Sequence, residues 1–448
     1  MGNSPNRPRR LLRALLFGGG AVGILVPIAV IAVPMLFRDD LIAALETAAA
    51  DYVTATVDIG TIELSIFDNF PEVTAHIDGL SIRGADAFDG VTLLDVDTVD
   101  VTVGLWEALQ GQYIVHSVSA QGWMVDLKVL PDGTANWDIV REQPASGDAE
   151  ASVLQIDLER LSLTDGTVRY LDQSSEIDAR LAGIRLDGAA ALRGDLADLT
   201  VSLHSDAVNV DYGGIRYLRE APLNGSADVV ANLATNQYTL EDNRFTINTL
   251  PLVFNGDVTL GEAAIAINLD FRSPATDFRD ILSMVPMVYQ HNFTDVKATG
   301  AFSFSGSVRG EQSENVLPGV TMDLTIQDGS FQYPNLPGAV TGIQVDAHIE
   351  RAEGPDLDNT ILRVSDARGA LAGQPFVSTL SVSTPLSDPL INGTVRTQMD
   401  LSKVGEVIPL APGEEYAGFV DADVAANGRY SSIEAGRYQD FQLRGTVT

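Results

Sequence analysis

The feature that most constrains the fold is an alternation of apolar and polar residues that begins at Val57 and continues to Thr448. It is clear in "VDIGTIELSIF", "DVDTVDVTV" and "TGAFSFSGSV". A period of two indicates β-strands with one apolar and one polar face. Asp-Gly and Asn-Gly pairs interrupt the pattern and predict tight turns. Because no long helical pattern separates the strands, the sequence predicts a mainly β, antiparallel sheet of roughly 22–28 strands.

Two repeats indicate that the sheet is built from a repeated unit. Residues 163–172 read "LTDGTVRYLD" and residues 326–335 read "IQDGSFQYPN". Residues 278–286, "FRDILSMVP", and residues 401–409, "LSKVGEVIP", form a second pair in which a short helical segment follows a strand. We therefore expect a module of roughly 120 residues with a short capping helix.

The N-terminal region has the pattern of a membrane anchor. Residues 14–37 contain no charged residue, and four arginines but no acidic residue come before them. A helix of this length would be about 36 Å long, which is enough to cross a bilayer. The charge bias places residues 1–13 in the cytoplasm and the body on the far side of the membrane. A cleaved signal peptide is the competing interpretation, and a short helix is expected over 38–56.

Composition excludes several functions. The formal net charge of −33 argues against nucleic-acid binding, which requires clustered Lys and Arg. The absence of cysteine excludes disulfides, zinc–thiolate sites and cysteine nucleophiles. No motif of a hydrolase, metalloprotease or phosphate-binding loop is present, and the five histidines are far apart in the sequence. We therefore expect a protein that is not an enzyme and that uses no cofactor or metal.

The alternation suggests a use for the apolar face. A sheet of more than twenty strands cannot stay flat, so we expect it to curl into an open groove. Such a groove could hold acyl chains, whose exposure to water costs about 0.8 kcal/mol per CH₂. A filled sandwich core is the alternative for each residue. The candidate lining residues are Ile62, Leu64, Ile66, Val99, Val101, Val103, Val168, Tyr170, Phe302 and Phe304.

The chain also resembles the AsmA family. The stretch from "LFRDDLIAALETAAADY" to "FDNFPEVTAHIDGLSIRG" looks like the opening of these proteins, with a Phe-Pro step at Phe70-Pro71. "VGLWEALQGQYIVHSVSAQGWMVDLKVLPDGTANWDI" is similar to the segment that follows it, including Asn136 and Trp137. "FRDILSMVPMVYQHNFTDVKATGAFSFSGSVRG" and "GSFQYPNLPGAV" resemble later repeats of larger members. The resemblance implies a Gram-negative inner-membrane protein with a periplasmic β-groove, phospholipid traffic to the outer membrane, and no catalytic residues.

The expected organisation has five parts. They are a cytoplasmic tail (1–13), a transmembrane helix (14–37), a short periplasmic helix (38–56), an N-terminal β region (57–150) and a repetitive β-groove region (151–448) that continues beyond Thr448. The expected partners are phospholipid, the inner membrane and an outer-membrane component. Two other functions stay open. The chain could be a scaffold that offers sheet edges to outer-membrane proteins, or a glycan-active enzyme with paired carboxylates.

Overall fold

The protein is mainly β. A computed structural model of the chain describes residues 53–65, 71–106, 114–139, 155–261, 263–282, 296–313, 315–333, 336–408, 410 and 414–448. Its strands form one 19-stranded sheet. The chain divides into two compact units, Met1–Ser174 (unit 1) and Ser175–Thr448 (unit 2). This division lies close to, but not at, the boundary at residue 150 that the sequence suggested.

The described residues of unit 1 form five strands that pair in sequence order. The pairs β1–β2, β2–β3 and β3–β4 are antiparallel, whereas β4 and β5 are parallel. The expectation of a wholly antiparallel sheet is therefore wrong at this pair. A parallel neighbour requires a crossover connection, and the chain between β4 and β5 is long enough to provide one. The strands are β1 (Thr56–Ser65), β2 (Glu72–Arg83), β3 (Thr92–Gly104), β4 (Ile114–Val129) and β5 (Gln155–Asp172), with a 3₁₀ turn at Asp86–Phe88.

Unit 2 contains fourteen strands that form an antiparallel meander, each hydrogen-bonded to the next in the sequence. The strands are β6 (Ile177–Arg193), β7 (Leu196–Tyr212), β8 (Ile215–Asn232), β9 (Gln237–Ile247), β10 (Leu250–Leu260), β11 (Ile265–Asp277), β12 (Lys297–Gln312), β13 (Gly319–Gln332), β14 (Val340–Arg351), β15 (Thr360–Leu371), β16 (Gln374–Ser383), β17 (Leu390–Asp400), β18 (Phe419–Arg429) and β19 (Gln442–Val447). Its helices are α1 (Phe278–Leu282) and α2 (Tyr430–Glu434), with 3₁₀ turns at Leu357–Asn359, Leu401–Glu406 and Tyr438–Asp440.

The strands are fewer and longer than the sequence suggested. Of the ten Asp-Gly and Asn-Gly pairs, only Asp89-Gly90 and Asp132-Gly133 lie in turns. The other eight lie inside strands β2, β5, β6, β8, β10, β13, β17 and β18. In both repeated phrases the aspartate has a left-handed backbone, with φ of 54° at Asp165 and 50° at Asp328. A single left-handed residue produces a β-bulge that bends a strand without ending it.

The short helical segments of the second repeat are found where they were expected. α1 directly follows β11, and the 3₁₀ turn Leu401–Glu406 directly follows β17. Asp400 caps this turn, because its Oδ1 accepts a hydrogen bond from the Ser402 amide at 3.1 Å.

Several expectations fall outside the described residues. The anchor at 14–37, most of the helix at 38–56 and Ile66 belong to this group, although Thr56 already begins β1. None of the helices in the described part of the chain has the length and hydrophobicity that a bilayer crossing requires. The strand pairings establish an open ladder, and they give no support for the predicted curl of the sheet.

Candidate functional site: the apolar face

Apolar residues of unit 1 form continuous rows across all five strands. Residues that pair across a sheet share a face, so the register shows which side chains lie together. The predicted residues Ile62, Leu64, Val99 and Val101 fall into two adjacent rows, and Val103 lies opposite Val73 and Val115 in the next. The two rows are Ile62–Ile77–Val99–Ala120–Leu163 and Leu64–Ala75–Val101–Val118–Leu161.

Polar residues occupy the opposite face of the same strands. The row between the two apolar rows is Glu63–His76–Asp100–Ser119–Ser162. A shift of one residue in register would exchange the two faces, so this separation fixes the pairing of the strands.

Unit 2 repeats this arrangement over more strands. Phe302 and Phe304 begin two of its apolar rows, and a third row runs beside them. The three rows are Phe302–Ile326–Val345–Ala367–Ser378–Val395–Val424–Gly445, Phe304–Leu324–Ala347–Val364–Leu380–Gly393–Ala426–Leu443, and Phe254–Phe271–Gly306–Met322–Ile349–Leu362–Val382–Ile391–Gly428. The opposite face carries the row Arg272–Ser305–Asp323–His348–Arg363–Ser381–Asn392–Asn427–Gln442.

Most side chains in these apolar rows are only half-buried. In the row that contains Phe304, none of the residues from Phe304 to Ala426 is fully buried. Two predicted lining residues differ, because Ile62 and Phe302 are only 3% and 2% exposed. The inner faces of a two-layer sandwich interdigitate and are buried throughout. The described part of unit 2 therefore lacks the burial that a filled sandwich core would give this row.

An aromatic cluster lies on the apolar face of unit 2. The ring of Phe304 is 6.1 Å from that of Phe271 and 5.8 Å from that of Phe302, with tilted planes. Such tilted pairs are a favourable geometry for aromatic rings. Gly306 lies beside Phe271, and a Cβ atom at Gly306 would come within 2.6 Å of the ring. The place of Phe271 in the cluster therefore depends on Gly306 in the neighbouring strand β12.

In each strand of unit 1, the apolar positions switch between odd and even residue numbers. The points at which the strands switch form one line across the sheet. In β1, for example, the apolar positions change from odd at Ile59 to even at Ile62. Three left-handed residues lie on this line, with φ of 79° at Gly79, 64° at Gly122 and 54° at Asp165. A left-handed residue interrupts the regular alternation of faces, and the register does not shift at this line, so the change in parity can keep apolar side chains on one face.

Val168 and Tyr170 lie on the far side of this line. Val168 pairs with Val125, and Tyr170 pairs with Leu127. Gly166 lies between the two groups of apolar residues and leaves room for Trp123, since a Cβ atom at Gly166 would be 2.1 Å from the indole ring. The Asp-Gly of the repeated phrase thus supplies the left-handed residue and the space for a large neighbour.

Asn136 and Trp137 connect the loop after β4 to the sheet. The Asn136 side chain is 1% exposed and bonds to the backbone of β4, accepting from the Lys128 amide at 2.8 Å and donating to the Asp126 carbonyl at 2.7 Å. The ring of Trp137 lies 6.2 Å from that of Tyr170. These contacts fold the loop after β4 back onto the sheet.

Three of the five histidines lie in similar settings in polar stretches of strand. His76 contacts Asp100 across the strands and Asp78 two residues along, His204 contacts Asn224 and Asp206, and His348 contacts Asp323 and Glu350. The hydrogen bond that His76 donates to Asp100 raises the pKa of His76, and the one that His204 donates to Asn224 raises the pKa of His204. Among the described residues, no group of His, Asp and Glu is arranged to hold a metal ion.

The sequence identified the alternation of apolar and polar residues. It did not show that the apolar rows continue from strand to strand, because the register is not known before the strands are paired.

Comparison with protein-family models, with curated proteins and with solved structures found no match for this chain. The functional argument therefore depends on the geometry of the sheet and on the resemblance of the sequence motifs.

Proposed function

We propose that the apolar face binds the acyl chains of phospholipids and that the protein carries them between the inner and outer membranes of a Gram-negative cell. In this proposal the chain is an AsmA-like protein held in the inner membrane by residues 14–37, with its β body in the periplasm. The single observation that carries it is the continuous apolar rows, whose side chains stay half-buried over many strands.

The dimensions of the rows fit this cargo. The row that begins at Phe254 crosses nine strands. At the usual spacing of about 4.8 Å between strands, it is roughly 40 Å long. That length exceeds an extended acyl chain, so a lipid could move along the face while its chains stay in contact with apolar side chains. The transfer needs no chemical step, and the proposal assigns no catalytic residue.

Adjacent residues on opposite faces provide the test. Phe304 lies on the apolar face, and the exposed Ser305 lies on the polar face beside it. We expect Phe304→Lys to reduce the phospholipid bound per protein, because a charge in an apolar row must be desolvated by a bound acyl chain. Ser305→Lys adds the same charge to the other face and should leave binding unchanged. Val101→Lys is the equivalent change in unit 1.

The measurement is native mass spectrometry of the full chain after purification from membranes, with circular dichroism to establish folding. Wild-type protein and the Ser305→Lys variant should carry the same lipid, and the Phe304→Lys variant should carry less. If the folded Phe304→Lys variant carries as much lipid as the wild type, the apolar face is not the binding surface.

A further inference from the structure

One long edge of unit 2 exposes large apolar side chains at successive connections between strands. We call this the hairpin edge; it comprises the connections β6–β7, β8–β9, β10–β11, β12–β13, β14–β15 and β16–β17 and the segment after β18. Turns between strands are normally polar, but exposed apolar residues lie at or next to most of these. They are Leu196, Leu233, Leu260, Leu357, Leu386, Tyr430 and Ile433.

Backbone hydrogen bonds hold neighbouring connections side by side. The Leu233 amide donates to the Asp195 carbonyl at 2.8 Å, and the Leu260 amide donates to the Asn236 carbonyl at 3.0 Å. Further along, the Tyr430 amide donates to the Pro389 carbonyl at 2.9 Å.

The exposed residues thus belong to an ordered row. The β12–β13 connection is the exception, because its Val316 and Leu317 are half-buried.

The hairpin edge continues the apolar face. Leu260 pairs with Ile265, and it follows Val258 at the spacing of two residues that keeps side chains on one face. Leu233 follows Ala231 at the same spacing, and Ala231 pairs with Tyr238. At β8 and β10, therefore, no polar residue separates the apolar rows from the hairpin edge.

The opposite edge is capped between β11 and β17. α1 lies against β12, where Arg279 donates to the Ala298 carbonyl at 3.3 Å. The segment after β17 bonds to the β13–β14 connection, since the Gly338 amide donates to the Glu406 carbonyl at 2.9 Å. Ala298, Phe302 and Val407 are consequently almost fully buried. The opposite edge also exposes Tyr212 and Tyr217 at the β7–β8 connection and Ile408 and Phe419 at the β17–β18 connection.

We propose that the acyl chains of a phospholipid enter and leave the apolar face across the hairpin edge of unit 2. This inference rests on the proposed function, and it assigns the route by which lipid reaches the site. The exposed leucines give a chain apolar contacts between the bilayer and the rows. The polar residues of the same connections, such as Asp195 and Asn236, leave the headgroup in a hydrated setting.

The test compares the two edges. One variant combines Leu196→Gln, Leu357→Gln and Leu386→Gln on the hairpin edge. Its control combines Tyr212→Gln, Tyr217→Gln and Ile408→Gln on the opposite edge. All six residues are at least 40% exposed, so neither variant removes a buried side chain. Each full-length variant is mixed with phosphatidylcholine vesicles that contain a fluorescent, quenched phosphatidylethanolamine, and both the rate of lipid uptake and the final amount bound are measured.

We expect the hairpin-edge variant to take up lipid about tenfold more slowly, because it removes apolar surface from the path. The amount bound at equilibrium should not change, and the control should match the wild type. Equal rates in all three proteins, or a slower rate only in the control, would overturn the route but leave lipid binding in place. Failure of the wild type to bind lipid at all would overturn the proposed function and the route together. A change in oligomeric state by light scattering, with an unchanged rate, would assign the hairpin edge to self-association instead.

Discussion

Replacing Asn136 with alanine should destabilise unit 1 through the loop that follows β4. The side chain is 1% exposed and makes two hydrogen bonds, of 2.8 Å from the Lys128 amide and 2.7 Å to the Asp126 carbonyl. Alanine removes both and leaves one donor and one acceptor of β4 without these partners. Each such loss costs about 1–3 kcal/mol when the group stays buried. Because the opened loop lets water reach the strand, we expect a total at the lower end, about 2–3 kcal/mol.

The assay exploits the position of the tryptophans. The chain contains three, at positions 106, 123 and 137, and all of them belong to unit 1. Tryptophan fluorescence during a urea titration of the full chain therefore reports the unfolding of unit 1. With a slope of about 2 kcal/mol per molar urea, the midpoint should fall by roughly 1–1.5 M.

The control for this prediction lies in the same loop. Asp132 accepts a hydrogen bond from the Thr134 amide at 3.0 Å in an exposed turn. Asp132→Ala removes that bond without leaving a buried group unpaired, so its midpoint should move much less. Equal midpoints for the two variants, or an unchanged midpoint for Asn136→Ala, would refute the argument that the buried amide holds the loop.

Three further changes test other parts of the structure. Asn243 is fully buried with no partner for either amide atom, so Asn243→Leu should leave thermal stability unchanged or raise it by about 1 kcal/mol. Gly166→Ala should lower the urea midpoint of unit 1 by the equivalent of about 1–3 kcal/mol, because its methyl group would collide with Trp123. His76 has a pKa raised chiefly by Asp100. Its stabilising contribution should be complete below pH of about 6.5 and decline as pH rises through the higher folded pKa, so the stability difference between wild type and His76→Gln should be larger at pH 6 than at pH 9.

The class of fold and the faces of the strands could be predicted because they depend on local sequence. Alternation in "TIELS" is enough to place Ile62 and Leu64 on one side of a strand and Glu63 on the other. The helical segments after β11 and β17 could be recognised for the same reason, as each has a local pattern.

Strand number could not be predicted reliably, because Asp-Gly suits two different structures. Both residues tolerate a left-handed backbone, which occurs in tight hairpin turns and also in bulges. In "LTDGTVRY" the apolar residues pass from the odd position of Leu163 to the even position of Val168 without a break in the strand. A change of parity across the pair is thus the signal that indicates a left-handed residue inside a continuous strand, and it was present in the sequence.

The extent of the candidate site depended on information that a sequence does not contain. Val101 could be placed on an apolar face, but its position between Ala75 and Val118 follows from register. The parallel pairing of β4 with β5 also joins residues that are distant in sequence. Ile62 and Phe302 are more buried than their neighbours. This difference depends on which segments pack over each row, and the alternation of residues carries no information on that packing.

The same apolar rows that hold the strands together are the proposed binding surface, and this links stability to lipid. Neighbouring side chains in a row, such as Phe304 and Leu324, cover each other only in part, so apolar surface remains for a ligand to bury. A lipid that binds only the folded protein stabilises it in proportion to the logarithm of its concentration. If the rows are the site, removing lipid should lower the stability of wild-type protein and of the Ser305→Lys variant equally, and should affect the Phe304→Lys variant less. A filled core would give no such difference, so the lipid dependence of unfolding separates a binding surface from ordinary packing even where both use the same residues.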